Sequence, residues 1–371
     1  MEFTTGFRLD GGGTFVAPPP PPPPVYLWAW GQNSNGNLGD GTTTNRYSPV
    51  QIGALTTWSK IDAGTGHSMA IKTDGTMWAW GLNNSGRLGL GNTTTTSSPQ
   101  QVGALTTWSK IDAGGENSLA IKTDGTMWAW GRGQEGQLGL GNTTNVSSPN
   151  QVGALTTWSS IAASVFHSMA IKTDGTMWAW GYNGNGGLGL GDTTSRSSPV
   201  QIGALTTWSS IDVGYYHSAA IKTDGTMWAW GRNSYGQLGL GNTTDISNPV
   251  QIGALTTWSK ITGKYYHNMA IKTDGTMWSW GRNNYGQLGL GNTTNISSPV
   301  QIGALTTWLS ITAGYFHSAA IKTDGTIWSW GSATGGATGL GYSNYSSPKQ
   351  IGALTNWLSV SAGTYHNLAI G

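Results

Sequence analysis

From Trp58 onward the chain alternates short apolar stretches with polar, glycine-rich ones, and the alternation repeats. In the unit that opens there, W-S-K-I-D-A predicts a strand A and H-S-M-A-I-K a strand B. T-M-W-A-W-G predicts a strand C. S-P-Q-Q-V, around Pro99, predicts a short strand D whose proline suits a sheet edge. T-D-G between B and C is a tight hairpin signal. A Gly/Asn/Thr-rich loop joins C to D, and G-A-L-T-T leads from D to the next A. No segment holds a helical period.

The unit recurs with a period of 50 residues. W-[AS]-W-G begins at Trp28, Trp78, Trp128, Trp178, Trp228, Trp278 and Trp328. A third tryptophan recurs from Trp58 to Trp357, so three per unit over seven units account for all 21. Four short strands at this spacing predict the blades of an all-β, seven-bladed propeller. The regular part opens at strand C (Val25 to Gly31) and finishes with A and B (Trp357 to Ile370). These half-units complete one blade between them, which leaves no open sheet edge in the ring. Domain organisation follows: residues 1–17 as an N-terminal docking peptide, 18–24 as a linker and 25–371 as the propeller. The linker is seven consecutive prolines, a semi-rigid polyproline II spacer of about 20 Å. Ahead of it, Phe3, Phe7, Leu9, Phe15 and Val16 surround a triple glycine. Three of the five phenylalanines of the chain fall in this segment, more than a purely solvating tail needs.

Composition narrows the function classes. Charged residues make up 9% of the chain and the net charge is +2, which gives no electrostatic pull toward nucleic acid. With no cysteine, disulfides and thiolate chemistry are excluded. No apolar run reaches the roughly 18 residues that span a membrane. The first residues lack the pattern of a signal peptide, so the expected location is a virion or extracellular surface reached by another route, with the cytoplasm as the alternative.

Repetition also weighs the candidate chemistry. His67, His167, His217, His267, His317 and His366 occur one per unit, with Asn117 in the remaining place. Spread around a ring they are too far apart to share an ion, so no metal is expected. Each is expected to bond backbone near its own strand B, with Asn117 as an equivalent donor. The recurrent Asp-Gly pairs are turn residues. Apart from Glu2, the only glutamates are Glu116 and Glu135, in one unit. A paired-carboxylate hydrolase there has no other support. G-Q-L-G-L-G lacks the Lys-Ser/Thr and the helix of a phosphate loop. No cofactor is expected.

The motif W-A-W-G-x-N-x-x-G-x-L-G-x-G, then S-S-P, then A-G-x-x-H-S-x-A-I-K-T-D-G, resembles the regulator of chromosome condensation repeat family over residues 25–371. That resemblance implies a seven-bladed propeller with a composite closing blade. The near-identical units look most like bacterial and bacteriophage members. The best-known member is a nucleotide-exchange factor bound to chromatin. This chain differs from it in two respects: no unit carries a wedge-like insertion, and residues 1–17 have only Arg8 against Glu2 and Asp10.

What differs between units points to a surface. T-D-G and G-A-L-T-T, at one end of every blade, are almost constant. The A–B turns and C–D loops, at the other end, vary. Their variable positions include Val165, Phe166, Tyr182, Tyr215, Tyr216, Arg232, Tyr235, Tyr265, Tyr266, Arg282, Tyr285, Tyr315, Phe316 and Tyr365. Tyrosine gives large contact area at low entropic cost, and small polar residues adapt around it. Drift on a surface seldom yields paired exposed aromatics in neighbouring blades. The expected function is therefore non-enzymatic binding through this face. The partner would be a host surface protein or glycan, with residues 1–24 docking the ring on a larger assembly. The alternatives are an intracellular regulator of guanine-nucleotide-exchange type and a bacterial cell-surface binding protein.

Overall fold

The computed structural model describes residues 24–371, and the expectations for the docking peptide and for residues 18–23 of the linker lie outside that range. Seven four-stranded antiparallel sheets form a ring, as expected. Blade 1 consists of strands A to D at Trp58–Ala63, His67–Lys72, Met77–Gly81 and Thr96–Gln101. Blades 2 to 6 repeat that order along the chain. In blade 7, strands A and B (Ser359–Ala362 and His366–Ile370) join strands C and D (Leu27–Gly31 and Arg46–Gln51). Leu27 pairs with Ile370 and Gly31 with His366 across that seam. Among the described residues, no helix is long and apolar enough to cross a membrane.

Seven apolar clusters lie between blades, not within them. In one, Met69, Ile71, Met77 and Leu88 of blade 1 enclose Trp108 and Trp130 of blade 2. In another, Leu27 and Leu368 of the closing blade enclose Trp58 and Trp80 of blade 1. Trp58 meets Trp78 and Trp80 edge-on at 6.1 and 6.3 Å, so the tryptophans of one blade form a wall against its predecessor. The Trp80 indole N–H donates to Asn37 O in the preceding blade at 3.0 Å. Gly81 lets strand C lie close against the A–B turn of its own blade. It sits at φ +101°, and a Cβ there would lie 2.6 Å from Gly66 O.

The histidines correct one expectation. Each imidazole Nε2 reaches the next blade instead of backbone beside its own strand. His67 meets Ser118 at 2.9 Å, His167 meets Ser218 at 2.8 Å, and His366 closes the ring on Ser68 at 3.0 Å. His217 and His317 meet Asn268 and Asn367 in the same way, and His267 meets Ser318. The serine hydroxyls donate onward to carbonyls, Ser68 to Asn37 O at 2.7 Å, so the imidazole must donate from Nε2. Burial pushes His167, His267 and His366 down to about 3 and His217 and His317 to about 4. All six are neutral rivets at neutral pH. Asn117 does not act as their equivalent, because its buried amide has no partner among the described residues. The joint between blades 2 and 3 therefore lacks the latch that the other six have.

Strand A lines the central channel. In blades 1, 2, 4, 6 and 7 its fifth residue, counted from the tryptophan, reaches across to the next blade, as when Asp112 accepts from the Ala163 N–H at 3.0 Å and Asp212 from the Gly263 N–H at 3.0 Å. Burial raises the Asp212 carboxyl to about 6 and holds Asp112 well above the usual range, where the neighbouring Asp62 adds to the effect. At the constant end of the disc, Leu55, Leu105, Leu155, Leu205, Leu255, Leu305 and Leu354 form a ring of side chains between 45% and 51% exposed.

Candidate functional site

The variable positions come together as expected. The A–B turns converge on one mouth of the channel and the C–D loops surround them. In blade 3, the Phe166 ring stacks on Tyr216 of blade 4 at 4.9 Å, with an interplanar angle of 4°. Tyr182 packs on both. Tyr215 continues the path to Tyr265 at 5.3 Å and to Tyr266 at 5.4 Å. Tyr235 packs edge-on against Tyr266. From Tyr265 the contacts run to Tyr315 at 4.2 Å, then to Phe316 at 3.9 Å, with Tyr285 and Tyr365 against that pair. Every aromatic residue singled out on this face belongs to one connected arc across blades 3 to 7. Val165 lies beside it at the channel mouth. Burial pushes the Tyr266 hydroxyl up to about 12.

Blade 5 contributes a feature that the repeat comparison did not resolve. Where blade 1 has Gly64, blade 5 has Lys264, which pairs with His267 and lengthens strand A to Trp258–Lys264. The lysine Nζ crosses the channel and donates to Ala63 O at 2.7 Å and Ala362 O at 2.9 Å. Tyr265 follows at φ +56°, the only positive φ outside glycine among the described residues. Such a conformation costs a tyrosine on the order of 1–2 kcal/mol. Its hydroxyl bonds Thr65 of blade 1 at 2.9 Å and Thr364 of blade 7 at 2.7 Å, contacts that offset the strain. Only about 20 Å³ of space remains at this mouth, room for roughly one water. At the opposite mouth, by contrast, a recess of about 340 Å³ is lined by Lys60, Lys110 and Ser160 among others. The signal for the plug was present in the sequence, since Lys264 is the one charged residue among the seven equivalent positions.

The charged residues divide by blade. Glu116 accepts from Ser85 Oγ at 3.1 Å and pairs with the buried Arg87 at 3.4 Å. Glu135 pairs with Arg132 at 3.7 Å. The two glutamates are thus engaged by separate arginines. In blades 4 and 5, Arg232 lies 5.6 Å from the Tyr216 ring, and Arg282 lies 5.1 Å from Tyr235 and 5.0 Å from Phe316. Tyr342, 80% exposed, packs on Tyr47 of the next blade at 4.2 Å, apart from the aromatic arc.

A model of the regulator of chromosome condensation (RCC1) repeat matches seven successive segments, from residues 26–71 to 324–370. The chain belongs to the RCC1 repeat family. Solved structures similar to this RCC1 propeller include Prp20p from Saccharomyces cerevisiae, described with its binding to Gsp1p and histones. It is 21% identical over 94% of this chain and 91% of that one, with a TM-score of 0.83. Human WBSCR16 is 19% identical over 94% of this chain and 98% of that one, with a TM-score of 0.85. At these identities the likeness shows the shared fold. No match was found among curated protein sequences.

Proposed function

We propose that this RCC1 propeller is a non-enzymatic binding module whose partner sits on the A–B/C–D face of blades 3 to 7. The connected aromatic arc from Phe166 to Tyr365 carries the reading. The scaffold is made of tryptophan buried between blades. Tyrosine and phenylalanine are gathered on one end, half-buried in mutual contact. A surface of that composition gains affinity through rigid amphipathic rings that lose little entropy on binding. The sealed channel mouth turns the centre of the disc into part of the contact surface.

In the finer form of this reading, the ring is a bacteriophage-type virion fibre or decoration protein at an extracellular surface. Residues 1–24 dock it, and a host surface protein or glycan is the partner. The near-identity of the units and the aromatic content of residues 1–17 support that form. The test is a binding screen of the purified chain against host surface proteins and glycans, beside a Tyr215→Ala/Tyr216→Ala/Tyr265→Ala/Tyr266→Ala variant that still folds. Equal binding by the two proteins would remove the proposed face. The exchange-factor alternative draws on the fold that Prp20p shares, and acceleration of nucleotide release from a small GTPase by the purified chain would establish it.

A further inference from the structure

The repeats supply an internal control for charge. Three C–D loops share the sequence R-x-x-[E/Y]-G-Q: Arg132 to Gln137, Arg232 to Gln237 and Arg282 to Gln287. Their backbones are fixed in the same way. The buried glutamine accepts the N–H of the fourth residue in each: Glu135 at 2.8 Å, Tyr235 at 2.9 Å and Tyr285 at 2.9 Å. The difference lies in what the fourth side chain offers the arginine. In blade 2 it is a carboxylate, and Arg132 is neutralised within its own loop. In blades 4 and 5 it is a tyrosine. The described residues form four ion pairs, and neither Arg232 nor Arg282 belongs to any of them.

Both uncompensated guanidiniums gather on one ring, with Arg232 5.9 Å and Arg282 5.8 Å from the centre of Tyr266. Tyr216 supports the first, and Tyr235 and Phe316 support the second. Ring faces hold a guanidinium in place without neutralising it, and they leave its N–H edges free to donate. Arg232 spends one donor on Ser234 Oγ at 3.1 Å. The buried Arg282 Nε has no acceptor at all among the described residues. Two like charges on one aromatic platform, with donors in reserve, are complementary to an anionic group that would bridge them.

We propose that Arg232 and Arg282, on the Tyr266 platform, form a receptor for the carboxylates of an acidic polypeptide segment of the partner. This rests on the reading of the A–B/C–D face as the binding face. A polypeptide fits better than an acidic sugar because most ring faces here are already used. Phe166 and Tyr216 stack on each other, and Tyr265 is held between Tyr215 and Tyr315. A sugar needs an open ring face to lie on. A peptide needs only flat contact, tyrosine hydroxyls and a counter-charge.

The test is a fluorescence-anisotropy titration with a short labelled peptide of alternating glutamate and tyrosine, run beside its glutamine analogue and beside oligogalacturonate. The glutamate peptide is expected to bind, and the glutamine analogue to bind at least roughly 10-fold more weakly. Arg232→Gln/Arg282→Gln should weaken binding at least roughly 10-fold, with thermal unfolding unchanged. Tyr235→Glu/Tyr285→Glu, which installs the blade 2 carboxylate in both loops, should have the same effect, whereas Arg132→Gln should have little. Equal binding by the double arginine variant, or no binding by wild type, would overturn the proposal. Tighter capture of oligogalacturonate than of peptide would overturn the polypeptide assignment. If a partner found in the screen is lost by the tyrosine variant but kept by the arginine variant, the face stands and the charge inference falls.

Discussion

Blades 2 and 5 are written in nearly the same letters, and they share the apolar wall and the four-strand sheet. They diverge wherever the ring is latched or presented. Blade 2 has Asn117 in the histidine position and leaves its amide unpartnered, while blade 5 bonds His267 to Ser318 at 3.0 Å. Blade 2 turns through Gly114 and Gly115 and neutralises its arginine. Blade 5 sends Lys264 across the channel, strains Tyr265 and leaves Arg282 uncompensated. Conserving the packing letters therefore keeps the fold while the turn letters set the surface. A repeat protein can change one without the other because the packing letters lie within the strands and the turn letters lie between them.

The largest expected effect comes from acid. Five of the folded imidazoles lie at about 3 to 4, and burial holds His67 well below its ordinary value too; the unfolded value is near 6.5, so the unfolded chain binds more protons between those limits. The stability they provide is complete above about pH 6.5. It falls as pH drops toward the folded values, by at most about 1.4 kcal/mol per histidine for each pH unit. Asp212 acts in the opposite sense. Its folded value of about 6 lies above the unfolded one, so its cost grows as pH rises through 6 and is relieved by acid. Asp112, also raised by burial, acts in the same sense as Asp212; two such groups do not balance six histidines, and the Tm should drop steeply from pH 7 to pH 5. A flat profile would contradict the latch assignment. Blade 2 contributes no imidazole to this titration, and Asn117→His should steepen the profile.

Next in size is the shared wall. Trp130→Ala and Trp280→Ala each remove a fully buried ring and an indole N–H bond to the preceding blade. Each should cost about 3–5 kcal/mol in chemical denaturation, and the two costs should match. Unequal costs would show that blades 2 and 5 differ in their core as well as at their ends. Smaller is the plug. Lys264→Ala removes a charged donor from two carbonyls and should cost about 2 kcal/mol. It should also speed hydrogen exchange at the turns around Thr65 and Thr364, and unchanged exchange there would argue against a strut. The smallest effect is a gain. Asn117→His should complete the missing joint with Ser168 and add about 1 kcal/mol at pH 7.5. No gain there would mean that the blade 2–3 joint is satisfied by other means.

The propeller was legible because one unit carries all of its strand signals and is written seven times. The closing blade was legible because the two terminal half-units are complementary. The aromatic arc was legible because the A–B turns and C–D loops are where near-identical units disagree most. What escaped lies between units. Nothing within a single repeat indicates that His67 serves Ser118 or that Asp112 serves Ala163, since these partners are 51 residues apart. Lys264 and Ala63 are separated by 201 residues and meet only because the ring closes. Asn117 misled for the same reason. An amide can replace an imidazole as a donor, but whether it reaches depends on the gap to the next blade.

The chain enters the disc at Val25, which bridges Thr57 on the leucine-bearing end, opposite the aromatic arc. Strand C of the closing blade begins two residues later and is paired on both sides, to His366–Ile370 and to Arg46–Gln51. A pull applied through the residues before Val25 therefore acts along the axis of an inner strand, against a partner held on the far side. Both ladders would have to slide in shear rather than open bond by bond. The seam that joins the ends of the ring is thus also the part of the molecule best placed to bear mechanical load.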